Sequence, residues 1–322
     1  MKRLSTLLLT ASITASVMAT GCIQPTGDAV SDAIPTAQDV RVNLPDSAGE
    51  APAALGEVSE YYAMTRGITR GFNAGAGFVL VLVHAIVQMP PTTVDGNTYT
   101  WGPGSDPLDP ADYRLTVIDN LDGTYDWSLD GKSKFDPNAE FLTAVSGLAV
   151  AGDEAHRGSG EFTLNFTNMK ALDPIEHNDD GDGTITVIYD LENRDGTAAS
   201  LEMHIDGTDE NGQAVVADYA YAENQDGSGD FQFSLPADVD ENGSALEDII
   251  LRSRWMADGS GRGDARISGG DAGDEVVEAS QCWSTSFRTV YETSTHPEIL
   301  PEAGDVSECA FADQDLPELP GV

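Results

Sequence analysis

The chain has 322 residues, with 55 aspartates and glutamates against 16 lysines and arginines, and a formal net charge of −39. A surface of that sign repels nucleic acid and anionic lipid headgroups, which argues against DNA or RNA partners, and it suits a saline medium or divalent cations. The 40% of hydrophobic residues is enough for one large domain or two small ones.

The first residues read as an address. Lys2 and Arg3 form a cationic start, and Leu4 to Met18 carries no charge. That apolar run suits a signal peptide better than a spanning helix, which needs ~20 apolar residues. Ala19-Thr20-Gly21-Cys22 follows and resembles the lipobox of bacterial lipoproteins, with Ala19 where leucine is most common. The resemblance implies cleavage before Cys22, lipidation of that cysteine and a membrane anchor. Because Ile23 and not aspartate follows Cys22, it further implies the outer membrane. Losing Lys2 and Arg3 makes the mature chain two charges more negative.

Residues 22–56 are rich in Ala, Pro, Asp, Glu and Gly, with Pro25, Pro35, Pro45 and Pro52 spread through them, and read as a solvated tether. The pattern changes from Ser59 to Met89. Tyr61, Met64, Ile68, Phe72, Val79, Val83 and Ile86 recur at helical spacing, Ser59 offers an N-cap and Pro90-Pro91 a stop. Gly67, Gly71 and Gly75 would form a flat strip on which another backbone can sit closely. The apolar run Phe78–Val87 points to a buried helix, with a membrane segment as the alternative.

After Thr98 the period becomes two. Tyr125, Trp127 and Leu129 alternate with polar residues, as do Phe162, Leu164 and Phe166, then Leu201, Met203 and Ile205, then Phe231, Phe233 and Leu235. Asp-Gly dipeptides at 122, 130, 195, 206, 226 and 258 suggest tight turns of a meander. Segments 157–162, 226–231 and 259–262 echo one another as similar hairpin tips. A last strand over Val276–Tyr291 would put Trp283, Phe287 and Tyr291 inward, with Cys282, Glu278 and Arg288 outward. Two cysteines beyond Cys22, in an oxidising compartment, read as one Cys282–Cys309 disulfide that pins an acidic, irregular tail on the polar face.

The expected fold is therefore mainly β: a large antiparallel meander of about eleven strands, a curled sheet or unclosed barrel around one long N-terminal helix. Its organisation is a signal peptide 1–21, a tether 22–56, a helix-plus-sheet domain 57–296 and a tail 297–322. In architecture alone it resembles the unclosed barrels of lipoprotein-localisation carriers and related envelope lipid-binding lipoproteins. No functional residue is carried over from them.

No catalytic spacing involves the five histidines, and there is no HExxH, P-loop or dinucleotide motif, so no catalytic residues are expected. Asn178, Asp180, Asp182 and Thr184 resemble the first half of an EF-hand loop and suggest Ca²⁺ as a cofactor. Tyr189, however, stands where the closing glutamate belongs. Arg252 and Arg254 share one strand face, expected to face water and offset acids, opposite Leu251 and Trp255. The expected function is a membrane-anchored, non-enzymatic envelope lipoprotein that binds a lipid or other hydrophobic ligand. The alternatives are a structural or protein-interaction surface lipoprotein with a filled core, and a hydrolase with an unrecognised site.

Overall fold

The computed structural model describes residues 27–41, 44, 56–175, 177, 181–191, 200–208, 212–237, 245–298 and 300–312. Within them fifteen strands form one sheet: β1 Thr93–Asp95, β2 Thr98–Gly104, β3 Ala111–Asp119, β4 Thr124–Ser133, β5 Leu142–Val150, β6 Ser159–Asn165, β7 Asp182–Asp190, β8 Ser200–Thr208, β9 Ala214–Glu223, β10 Gly229–Ala237, β11 Glu247–Trp255, β12 Gly261–Gly269, β13 Val276–Trp283, β14 Thr289–Ser294 and β15 Ala303–Gly304. Their order in the sheet is their order in the chain, from β1 to β15 without closure, and every pair is antiparallel. The expected meander is present with more strands than eleven. Its two edges are three- and two-residue strands, too short to carry a readable period. Short edges also leave few unpaired backbone groups to recruit another chain.

A sheet this wide must curl to hide its apolar face. Trp127, Leu129, Phe162, Leu164, Val187, Tyr189, Leu201, Tyr219, Tyr221, Phe231, Leu251 and Trp255 are buried in one continuous core. Two details depart from the sequence reading. The alternation at Phe162 and Leu164 does not continue to Phe166, because Asn165 caps a short helix, α3 (Phe166–Leu172), by accepting the Asn168 N–H. The expected strand over Val276–Tyr291 is broken at Ser284–Phe287, so Tyr291 lies opposite Cys282 and shares its outward face.

The long helix is α2, Glu60–Val87, capped by Ser59, whose hydroxyl accepts the Tyr62 N–H. Such a cap is worth ~1 kcal/mol. The buried stripe is turned by about one position from the expected one, with Val83 common to both. Tyr62, Thr65, Thr69, Leu80, Val83 and Val87 are buried, Tyr61, Ile68 and Ile86 are partly buried against the core, and Met64 is 47% exposed. The rotation follows from polar anchoring. Ser59 also donates to Gln281, and the Thr65 hydroxyl bonds Ser253, so the first turns of the helix are fixed on β11–β13 by hydrogen bonds. At Gly67 nothing lies within contact distance, so no backbone packs there. The close approach is made by Gly263 of β12, where a Cβ would overlap Tyr61. At its other end the Met89 carbonyl accepts the Trp101 indole N–H from β2. The helix, about 42 Å long at 1.5 Å per residue, thus ties late strands to early ones. No helix among the described residues is long and apolar enough to cross a membrane.

Part of the segment expected to be a solvated tether is structured. Residues Gly27–Ala33 form α1, and Val30, Ala33, Ile34 and Val40 are buried in the core. Four apolar residues spread over eleven positions are too few to stand out in a Pro- and Ala-rich stretch. Only the partner surface makes them a face.

Turns of one kind open two of the echoed segments, at Asp226 and Asp258, and recur at Asp122 outside the echo. Asp122, Asp226 and Asp258 each accept hydrogen bonds from the backbone N–H and hydroxyl of the Thr or Ser two residues on, and the glycine between has φ near 90°. These bonds hold all three carboxyls below the usual carboxylate range. Asp130-Gly131 and Asp206-Gly207 instead lie inside β4 and β8, and Asp195-Gly196 falls outside the described residues. The glycines of the three echoed segments, Gly160, Gly229 and Gly261, are covered by the rings of Tyr189, Trp255 and Trp283, leaving no room for a Cβ. Trp255 and Trp283 also donate to the carbonyls of Gly227 and Gly259. The echo is a repeated aromatic-over-glycine seam along the meander.

The Ser284–Arg288 turn departs from the glycine rule. In Ser284–Arg288 the left-handed position is filled by Phe287, φ 62°, whose ring stacks on Tyr62 at 4.1 Å. Left-handed backbone costs a non-glycine residue ~1–2 kcal/mol. Phe287→Gly and Phe287→Ala both lose the stack, but only glycine relieves the backbone. Urea unfolding is expected to find the glycine variant more stable by ~1 kcal/mol; equal midpoints would mean the turn is unstrained.

Candidate functional site

The most developed polar cluster lies on the outer face of β11–β13. Asp264, fully buried, accepts from Arg254 Nη2 at 2.7 Å, Arg262 Nε at 2.6 Å and the Ser280 hydroxyl at 2.6 Å. Arg254 and Arg262 are 3% and 8% exposed. They are brought together by register: Arg254 pairs with Arg262 across β11–β12, and Asp264 with Ser280 across β12–β13. What covers them is the C-terminal strap. Tyr291 donates to Glu302, β15 pairs with β14, and the Cys282–Cys309 disulfide closes the strap onto β13. Beyond it, Arg262 Nη1 donates to the Phe311 and Ala312 carbonyls, and the Arg254 guanidinium sits 5.3 Å from the Phe311 ring centre. The disulfide is thus as expected, on the outward face. Arg254 is corrected: it does offset an acid, but under the strap and out of water. Arg252 matches the water-facing reading better, half-buried and bonded to Asp230. Leu251 and Trp255 are buried opposite.

Sequence reasoning missed Asp264 and the pairing of Arg262 with it. The signal was present: Arg262, Asp264 and Arg266 alternate along β12, which puts three charges on one face, with Arg266 bonding Glu278 farther along. Beyond Asp264, Arg262 keeps a second nitrogen for the Phe311 and Ala312 carbonyls, so the pair is suited to holding carbonyl oxygens.

A second feature is a shallow depression of about 200 Å³ on the outer face of β7–β10, lined by Thr186, Ile188, Glu202, His204, Asp218 and Gln232 among others. His204 Nδ1 lies 2.7 Å from Asp218, with both side chains more than half exposed. His204 therefore faces solvent as expected. Both groups are open to water on the sheet face, where charge is screened more than in a dry site.

Of the calcium-loop residues, Asn178 and Asp180 lie outside the described residues. Asp182 and Thr184 belong to β7, and the Asp182 carboxylate is 4.0 Å from Lys170 Nζ on α3. Among the described residues no group of three or more His, Cys, Asp or Glu side chains is placed to hold a metal. Cys22, the expected lipidation site, also lies outside the described residues.

A third feature joins α1, α2 and the β5–β6 loop. The rings of His84 and His156 meet edge to face at 5.3 Å; His156 Nδ1 bonds Ile34 O, and the His156 backbone N–H donates to Asp32 O. Burial and the neighbouring His156 lower the pKa of His84, partly opposed by Asp39. A lowered folded pKa means the stabilisation is complete above the ordinary histidine value of 6.5 and is lost as pH falls through the folded value. Protection factors in α1, from hydrogen exchange corrected for its intrinsic pH dependence, are expected to fall on acidification from pH 7.5 to 5.5, and His84→Gln is expected to blunt that response. An unchanged pH dependence in the variant would place the sensitivity elsewhere.

Comparison with protein-family models, with characterised proteins and with solved structures finds no match.

Proposed function

We propose that the chain is a membrane-anchored, non-enzymatic envelope lipoprotein, held at the outer membrane through lipidated Cys22, that serves as a structural or protein-interaction scaffold. The observation that carries this reading is the way aromatic rings fill the hollow of the sheet. Trp127 meets Phe162 and Phe162 meets Tyr189, with centroids 6.2 and 6.4 Å apart; Tyr219 meets Phe231 at 4.9 Å, and Tyr221 meets Trp255 at 6.1 Å. Rings that contact one another spend their apolar surface on packing. A carrier would hold that surface in reserve for its cargo.

Lipid or other hydrophobic-ligand binding is the second reading. It is favoured by one observation: the inward residues Ile185, Met203 and Phe233 are only half-buried, so the concave face is less completely covered at one end. Native mass spectrometry of the secreted chain, with and without calcium, separates the two. The scaffold reading expects a clean protein mass and capture of an envelope protein by crosslinking in cells. Co-purified lipid-sized adducts would replace it with the carrier reading. Calcium adducts would direct attention to Asn178, Asp180, Asp182 and Thr184. The anchor has its own test: labelling with a fatty-acid analogue should be lost in Cys22→Ser.

A further inference from the structure

We propose that the depression on the outer face of β7–β10 is a binding site for an uncharged pyranose ring of an extended glycan. The sheet register builds it as two rows of side chains across four strands. One row is Thr186, His204, Asp218 and Ser234; the next is Ile188, Glu202, Ala220 and Gln232. All of them line the depression, whose volume of about 200 Å³ takes one sugar ring. Ala220 is its cause: a single methyl stands between the longer Glu202 and Gln232, so the face falls away between them. Ile188, 46% exposed, gives the floor a second apolar surface.

The polar members keep hydrogen-bonding capacity for a ligand. His204 Nδ1 lies 2.7 Å from Asp218 Oδ1; a carboxylate only accepts, so Nδ1 carries the proton and Nε2 is left as an acceptor. The Glu202, Gln232 and Ser234 side chains bond no other side chain among the described residues. An acid, an amide, an imidazole and hydroxyls around an apolar floor suit a sugar ring, whose hydroxyls donate and accept at its edge and whose C–H faces are apolar. Charge decides against an anion. Glu202 and Asp218 line the depression and no lysine or arginine does. Arg252, next to Gln232 in the same row, is engaged by Asp230.

The first row continues beyond the depression. Thr186 pairs with Thr163, and the register runs on through Ser146, Ser128 and Thr116 to Thr100, one hydroxyl on each strand. These residues alternate with the buried Trp101, Leu115, Trp127, Val145 and Phe162, which puts the hydroxyls on the outer face. Adjacent strands lie ~4.8 Å apart, so the row is a polar track of ~24 Å, long enough for several sugar units. The depression shapes one ring, and the track lets the rest of a longer chain lie beside it.

The experiment titrates the full chain, followed by calorimetry and amide NMR shifts, with glucose, cellohexaose and maltohexaose, with a chitosan hexamer that carries amines, and with an oligogalacturonate that carries carboxylates. At least one neutral hexasaccharide is expected to bind with a Kd of about 1 mM or below. It should bind at least fivefold more tightly than glucose and keep its affinity in 1 M salt. Ala220→Leu fills the dip while leaving every polar group in place, and is expected to abolish binding; Gln232→Ala should weaken it at least fivefold. Circular dichroism reports whether the sheet stays intact in each variant. Neutral sugars that give neither heat nor shifts, tighter binding of the amine or the carboxylate, or binding that survives Ala220→Leu would each overturn the site. A hexasaccharide no tighter than glucose would overturn the track. Lipid-free recombinant chain suffices, so the result is independent of whether the protein is anchored or carries a ligand in its hollow.

Discussion

Replacing Asp264 by asparagine is expected to destabilise the protein by about 3–5 kcal/mol, among the largest effects of any isosteric change in the chain. The side chain keeps its shape, so the loss is electrostatic. Asp264 is the buried acceptor shared by Arg254, Arg262 and Ser280. Asparagine supplies one acceptor oxygen and turns an N–H₂ toward a guanidinium, so two buried cations lose the carboxylate they share. Urea unfolding of wild type, Asp264→Asn and the apolar triple variant Arg254→Met, Asp264→Leu, Arg262→Met makes the argument decidable. The single variant should be much the worst, because a buried ionic cluster replaced whole by apolar residues is often near neutral. A loss below about 1 kcal/mol in Asp264→Asn would mean that water reaches the cluster and screens it.

Trp283→Ala is expected to cost a similar ~3–5 kcal/mol, the usual range for truncating a buried tryptophan, by a different route. Trp283 is 2% exposed, covers Gly261, donates to the Gly259 carbonyl at 3.0 Å and meets Tyr62 with centroids 5.9 Å apart. Its removal opens a cavity where the helix enters the sheet and leaves a turn carbonyl without its donor. Trp283→Phe keeps most of the burial and loses only the indole N–H, so its cost should fall near 1–2 kcal/mol. If both variants lose the same amount, the hydrogen bond and not the packing holds the seam. A helix that unfolds before the sheet in Trp283→Ala, followed at 222 nm and by tryptophan fluorescence, would identify this contact as the one that seats α2.

The sequence by itself determined the periods. Alternation at Tyr125–Leu129 or Leu201–Ile205 has only one way to hide its apolar side, so sheet, antiparallel meander and buried face follow from side-chain order. Ser59 and Pro90-Pro91 bounded the helix for equally local reasons: an orphan N–H needs an acceptor, and proline ends the ladder. Two cysteines besides Cys22 left one disulfide. What only the tertiary structure decided depends on pairs distant in sequence. Met64 rather than Tyr62 looks apolar enough to face inward, but Gln281 and Ser253, some 190 to 220 residues away, set the helix rotation. Val30 and Ile34 became core only because the sheet and α2 offered a surface for them. The burial of Arg254 depended on a strap that begins nearly fifty residues later; alternation puts a charge on the outer face but cannot say what will lie on top of it. The strand count fell short in part because the edge strands, three and two residues long, barely span one period. Each of these is a question of which distant surface arrives, and local propensity and pattern carry no information about that.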